Sequence, residues 1–287
     1  MESRFNTSFD KIIPFFIFMV TGLVFLPVIN WLTEQTFAHE QLLHAFLVFV
    51  LTGALLVYER RIGIRPVFEF SDTAQNVLIL SYALLVAAIF SRINLVLLAA
   101  LSLSLLSLLL FIFGNDKRRL ILSSIGAFTI FTAFAVMFPV MDWPLRSIAG
   151  KWAGYGLQLI GQNVQLGIFN GQNEPMLMLL NNGRPFHVAA ECNGFGMITS
   201  CLLMAAILVL YRKLSFFDRL GWMGMALIIG LLFNSIRIII IVILAPLLSD
   251  SSYMLMHEAV GLLTTYGGLG VLYFLLMPRE RDTIKTL

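Results

Sequence analysis

Polar and apolar positions in this chain alternate in long blocks rather than residue by residue. Apolar stretches of 16 to 26 residues recur along its length, separated by short polar or basic connections. One of them, Leu95 to Phe113, carries no charged residue at all. A helix of roughly 20 apolar residues crosses a ~30 Å hydrocarbon core. Inside that core a helix satisfies its own backbone hydrogen bonds, and an open strand does not. The pattern predicts eight spans, at 12–29, 42–58, 76–91, 93–113, 120–141, 193–211, 221–246 and 256–277. The expected fold is an all-α polytopic membrane protein, with residues 1–287 forming a single transmembrane domain. The first span contains Pro14 and Pro27 and is followed by Asn30-Trp31-Leu32, a poor cleavage pattern, so it is expected to be a retained helix.

The connection over 142–191 breaks this rhythm. Its first part, Trp143 to Gln165, mixes Trp, Tyr, Leu and Ile with Lys, Gln and Asn, which predicts a helix lying at the membrane interface. Its second part has two short apolar runs, Met176 to Leu180 and Phe186 to Ala190, around Asn182-Gly183. Asn-Gly between such runs is a strong hairpin signal. A small β-hairpin is therefore expected to deliver the chain to the start of the sixth span.

Composition agrees with the pattern. Hydrophobic residues make up 59% of the chain and charged residues only 12%, against roughly 25% charged in soluble domains. No run of Lys and Arg with interleaved aromatics suggests a nucleic-acid partner. The placement of charge sets an orientation, because basic residues accumulate in cytoplasmic connections. With eight spans, 14 of the 19 Lys and Arg residues fall on one side together with both termini. Only Arg92, Arg146, Lys151 and Arg184 fall on the other, and Arg237 lies within a span. The expected arrangement is a multi-pass protein of the inner (cytoplasmic) membrane with both termini in the cytoplasm and the 142–191 loop outside.

Three residues in the outer half of this arrangement bear on chemistry. Arg237 sits in an otherwise apolar helix, with Asn234 three residues earlier on the same face. A charge at that depth costs a few kcal/mol on insertion scales and marks a functional site by default; it could also snorkel to the interface or pair with a buried acid. His257 opens the eighth span, with Gly261 one turn deeper on its face, where it would permit close helix approach. A polar residue at a helix end is the ordinary alternative. Cys192 opens the sixth span ahead of Asn193-Gly194. A cysteine there can be simple packing, but a helix N-terminus also favours the thiolate.

Taken together, three helices bring one capable residue each to the same leaflet. A thiol beside an imidazole is the minimal activated pair, since the imidazole can take the thiol proton and return it to a leaving group. A fixed guanidinium can stabilise the thiolate or an oxyanion. Glu191 and Glu258 adjoin the cysteine and the histidine; either could orient His257 or pair with Arg237, or be merely solvated. Cys201 lies mid-span, nine residues and ~13 Å of helix from Cys192 on the opposite face, so the two thiols are expected to stay unbridged. His39 and His44 read as interface residues, and His187 as a hairpin residue near the site. No metal-ligand spacing, phosphate-binding glycine loop or GxSxG motif is present, so no cofactor or metal is expected.

The ordered set Cys192-Asn193-Gly194, Asn234-Ser235-Ile236-Arg237 and His257-Glu258-Ala259-Val260-Gly261 resembles the exosortase/archaeosortase family of multi-pass membrane transpeptidases. The resemblance covers roughly residues 140–277. The family often has Ser after the Cys, where this chain has Asn193. The resemblance implies a membrane cysteine protease or transpeptidase acting on the C-terminal sorting signals of exported proteins, as in PEP-CTERM proteins. Cys192 would be the nucleophile, His257 the proton carrier and Arg237 the electrostatic stabiliser, with Asn234, Glu191, Glu258, Gly194 and Gly261 in support. The partners it implies are exported proteins bearing a sorting helix, an acceptor amine or lipid, and the surrounding membrane lipids. Two other classes compete: a transporter that binds an anion at Arg237, and a non-catalytic component of an envelope polysaccharide export system. Against the transporter, the chain shows no internal repeat with paired broken helices.

The basic-residue asymmetry makes a topological prediction. A reporter fused to the C-terminus should be active only as a cytoplasmic reporter, and a cysteine label that cannot cross the membrane should reach position 192. An externally active C-terminal fusion would reject this orientation.

Overall fold

The computed structural model describes residues 3–170, 175–188 and 193–277. Eight helices follow in order: α1 Ser3–Ala38, α2 Glu40–Glu59, α3 Asp72–Ser91, α4 Asn94–Phe113, α5 Arg118–Leu159, α6 Phe195–Tyr211, α7 Phe216–Leu244 and α8 Asp250–Leu276. Each of the eight apolar stretches falls on one of them to within two residues. Seven helices are long and apolar enough to cross a membrane, and α6 is a shorter apolar helix of 17 residues. The chain is a multi-pass, all-α membrane protein that carries one small three-stranded sheet.

The helices cluster into two compact units. The first comprises residues up to Val136 together with Ala206–Ser215. Here α3 and α4 are joined by serines. Ser81 Oγ donates to the Ala100 carbonyl at 2.8 Å, and Ser107 Oγ to the Ala74 carbonyl at 2.6 Å. Small hydroxyl residues let two backbones approach closely and satisfy themselves across the gap. Thr21 and Tyr82 share a hydrogen bond of 2.8 Å between α1 and α3. Phe18 and Phe70 pack against Phe111 with ring centroids 5.2 and 6.0 Å away. Between α2 and α3 the chain is extended, and the N–H groups of Val67 and Glu69 donate to the Ile112 and Phe111 carbonyls at the end of α4. These carbonyls have no partner within their own helix.

The second unit comprises Met137–Ala205 and the chain from Phe216 onward. Its sheet runs β1 Val164–Asn170, β2 Pro175–Asn181 and β3 Arg184–His187, antiparallel throughout. The expected hairpin is β2–β3. Its turn residues Asn182 and Gly183 have φ of 51° and 78°, as a two-residue turn of this kind requires. The sheet packs onto two helices. Leu177 and Leu179, alternate residues on one face of β2, join Val164 and Val188 against Ala149, Ala153 and Leu157 of α5 and Ile238 and Val242 of α7. The α5 residues recur every fourth position and so form one stripe. Gly150 in that stripe leaves room for Leu177 and Leu166, which would stand 3.1 and 3.3 Å from a Cβ there.

The 142–191 connection differs from its expected form in two respects. The interfacial helix over Trp143 to Gln165 is not a separate element. Residues up to Leu159 continue α5 as one 42-residue helix that passes through Pro139 and Pro144. Asp142 and Arg146, just past the expected end of the fifth span, stand one turn apart and neutralise each other. The helix stops two residues before Gly161, whose φ is +84°. Val164 and Gln165 then belong to β1, a strand that pairs along the whole of β2.

Close helix approach supplies a stability prediction. A Cβ on Gly230 of α7 would lie 2.9 Å from the Ile198 Cα of α6, which is backbone and cannot swing away. A Cβ on Gly156 would meet only the tip of Ile239, at 2.5 Å. Gly230→Ala is therefore expected to cost about 1–3 kcal/mol, and Gly156→Ala distinctly less. Thermal unfolding of the two variants in detergent measures the difference; an unchanged Tm for Gly230→Ala would refute the α6–α7 contact.

Candidate active site

Cys192 and Glu191 lie outside the described residues, so the site is built from the residues that follow them. Asn193, bonded directly to Cys192, is wholly buried. Its Oδ1 accepts a hydrogen bond of 2.7 Å from the Phe195 N–H, which caps the start of α6. Its Nδ2 donates to Asp142 Oδ1 at 2.6 Å. Asp142 is gripped in turn by Arg146, whose Nε donates to Oδ1 at 3.0 Å and whose Nη2 contacts Oδ2. Such a two-point guanidinium–carboxylate contact fixes geometry as well as charge. The edge of Phe138 meets Phe195 with centroids 4.7 Å apart, so apolar packing closes the same junction.

Gly194 has φ of +79°, a conformation that side-chain-bearing residues rarely adopt. Space demands glycine as well: a Cβ there would stand 2.7 Å from Asn234 Nδ2 and 2.8 Å from its Cγ. Asn234 of α7 is 1% exposed and fills that space. One turn along α7, the guanidinium of Arg237 lies against Gly261 of α8. A Cβ on Gly261 would be 3.3 Å from both Cζ and Nη2 and 3.4 Å from Nε. His257 is half-buried one turn before Gly261 on the same face, with its ring centroid 6.1 Å from that of Tyr253. Ile238, the residue after Arg237, turns into the cluster beneath the sheet. Helix α7 thus presents Asn234 to α6, Arg237 to α8 and Ile238 to the sheet.

Of the sequence-derived candidates, Gly194, Asn234, Arg237 and Gly261 come together, with His257 one turn away. Glu258 is exposed on α8. Cys201 is wholly buried within α6. His187 is exposed at the end of β3, and exposed His44 stands 3.8 Å from Glu40 on the surface of α2. Sequence reading passed over Asp142 and Arg146 as partners of the site. Two signals were available: an Asp and an Arg four residues apart at the end of an apolar helix, and an asparagine immediately ahead of a helix start. The guanidinium of Arg237 and the free N–H groups at a helix start both favour negative charge. The arrangement can therefore hold a thiolate, a carboxylate or an oxyanion.

Asn193 carries a direct prediction. Asn193→Ala leaves the half-buried Asp142 carboxylate and the buried Phe195 N–H each short of one bond, at a cost of about 1–3 kcal/mol. Asn193→Ser, which keeps a short acceptor for the cap, should recover part of that loss. Unfolding midpoints of the purified variants measure both effects, and native stability in Asn193→Ala would show that these bonds are dispensable.

No curated protein and no solved structure matches the chain. The family model described as transmembrane exosortase (Exosortase_EpsH) matches residues 31–277, which take in every helix bearing the site as well as most of the first unit. The chain therefore belongs to the transmembrane exosortase family.

Proposed function

We propose that this protein is a cysteine peptidase and transpeptidase of the cytoplasmic membrane. It cleaves the C-terminal sorting signals of exported proteins through a thioester on Cys192. The observation that carries the reading is the convergence of Gly194, Asn234, Arg237 and Gly261 from three successive helices, beginning two residues after Cys192. Membership of the exosortase family supports the same class of reaction.

In the proposed cycle His257 takes the proton of the Cys192 thiol. The thiolate attacks the carbonyl carbon of the scissile peptide bond, and the carbonyl oxygen gains the negative charge. Arg237 faces that charge with a planar fork of donors in a site of low dielectric, where the interaction is stronger than in water. As the C–N bond breaks, the leaving amine takes the proton back from His257. A thioester remains on Cys192. An acceptor amine or water then attacks it and gives a proton to His257; the C–S bond breaks, the exported protein is released, and the Cys192 sulfur takes that proton back. The cycle consists of acyl and proton transfers, so it calls for no cofactor. Asn193, held by Asp142 and Arg146, lies one bond along the chain from the sulfur-bearing residue and serves to hold the start of α6.

A substrate of this kind combines a short recognition motif with a transmembrane helix and a basic cytoplasmic end. The basic-residue asymmetry of the enzyme itself is what favours a site opening on the outer leaflet. There the junction between the substrate's motif and its helix would arrive.

The decisive variants are at the two cysteines. Cys192→Ala is expected to abolish processing of a substrate bearing a sorting helix while the protein remains in the membrane at normal level. Cys192→Ser should also be nearly inactive, because a hydroxyl is far less readily ionised than a thiol. Cys201→Ala, which trims a buried side chain away from the site, should process normally. Substrate mobility in cells expressing each variant at matched levels is the measurement. Normal processing by the Cys192→Ala protein would eliminate the enzyme and favour a transporter or scaffold.

A further inference from the structure

The first unit contains a cavity of about 610 Å³ that the proposed reaction does not use. Three stretches of chain line it: the residues that close α2, the turn between α4 and α5, and Tyr211 at the end of α6. Five of the lining side chains are cationic, namely Arg60, Arg61, Lys117, Arg118 and Arg119, against a single acid, Asp116. Among the described residues none of these five cations stands in an ion pair. Charges of one sign collected around a cavity repel one another unless an anion enters.

The backbone points the same way. Arg61 N–H donates to Tyr58 O and Ile62 N–H to Val57 O, a helix-closing turn whose left-handed residue is usually glycine. Here that residue is Arg61, at φ +47°. The strain is maintained at a residue whose charge lines the cavity, and such strain collects at functional positions. Every lining stretch directly adjoins an apolar helix end, the depth at which lipid headgroups lie.

We infer that this cavity is a binding site for a phosphate-bearing anion, held by the forked guanidinium groups of Arg60, Arg61, Arg118 and Arg119 with Lys117. A phosphate fits better than a lone carboxylate because it presents several oxygens to bidentate arginines. Basic pockets at the ends of transmembrane helices take lipid phosphate groups in this way. The phosphate can belong to an anionic phospholipid or to a soluble phosphoester.

The test uses the full chain in detergent, titrated with phosphatidylglycerol and followed by native mass spectrometry. Arg61→Gly is the informative variant, because it removes one cation and at the same time supplies the residue that φ +47° prefers. It should weaken phosphatidylglycerol binding about fivefold, the effect of one contact near the membrane surface. Lys213→Gln, an equal loss of charge in the same unit but outside the cavity lining, should bind as the native chain does. Phosphatidylcholine should bind far more weakly to all three. Displacement of the bound lipid by inorganic pyrophosphate would assign the site to phosphates of either source; resistance to pyrophosphate would assign it to the lipid. Native affinity in Arg61→Gly, or an equal loss in Lys213→Gln, would overturn the proposal.

Discussion

The hydrogen bond from Asn193 to Asp142 is the constraint on which the second unit depends. A polar side chain shut away from water must find its partner on another element, or it costs the free energy of its lost hydration. Asn193 is wholly buried and has two such partners, the carboxylate of α5 and the first free N–H of α6. Asp142 can accept that bond because Arg146 neutralises it from one turn away. The entry of α6 is thereby tied to α5 by directional bonds rather than by apolar contact alone, which would allow sliding.

Once α6 is held at its start, glycines determine how near the remaining helices come. Gly194 admits the side chain of Asn234, Gly230 admits the backbone of α6 at Ile198, and Gly261 admits the guanidinium of Arg237. Helix α7 is central to all three contacts. Its fourth contact is with the sheet, which receives Ile238 and Val242. A guanidinium is costly in an apolar helix, and a helix that carries one must be oriented so that the group faces other helices. The apolar stripe against the sheet supplies that orientation, since rotation about the α7 axis would expose Ile238 and Val242 and bury polar groups against Leu177 and Leu179.

The length of α6 has a consequence for the site. A helix of 17 residues rises about 25 Å, less than a ~30 Å hydrocarbon core. One of its ends must therefore lie within the depth of the membrane or be reached by polar residues that have their own partners. The Asn193–Asp142–Arg146 set meets that need at the N-terminal end. It also suits the proposed chemistry, in which a peptide bond at the edge of a substrate's membrane helix must reach a thiol at a comparable depth.

The sequence by itself determined the elements whose signals are local. Apolar block length placed a helix under each of the eight stretches, though α1 and α5 run well past the stretches that foretold them, because a membrane helix depends first on the composition of its own stretch. Asn182-Gly183 placed the β2–β3 turn, because both positions need positive φ. The order Cys192, Asn234 with Arg237, and His257 with Gly261 was legible as candidate chemistry, since charge and thiol stand out in apolar surroundings. Tertiary structure decided what depends on distant partners. Strand β1 exists because β2 pairs with it; the alternation Val164-Gln165-Leu166-Gly167-Ile168 suits a strand but is too short to settle that outcome alone. The uninterrupted course of α5 past Asp142 rests on the Arg146 contact and on the sheet that covers its Ala149–Ala153–Leu157 stripe. Two separate basic connections and Tyr211 became one cavity only when their helix ends met. In each case the free energy belongs to a pair of segments far apart in the chain, so neither segment's own sequence carries it.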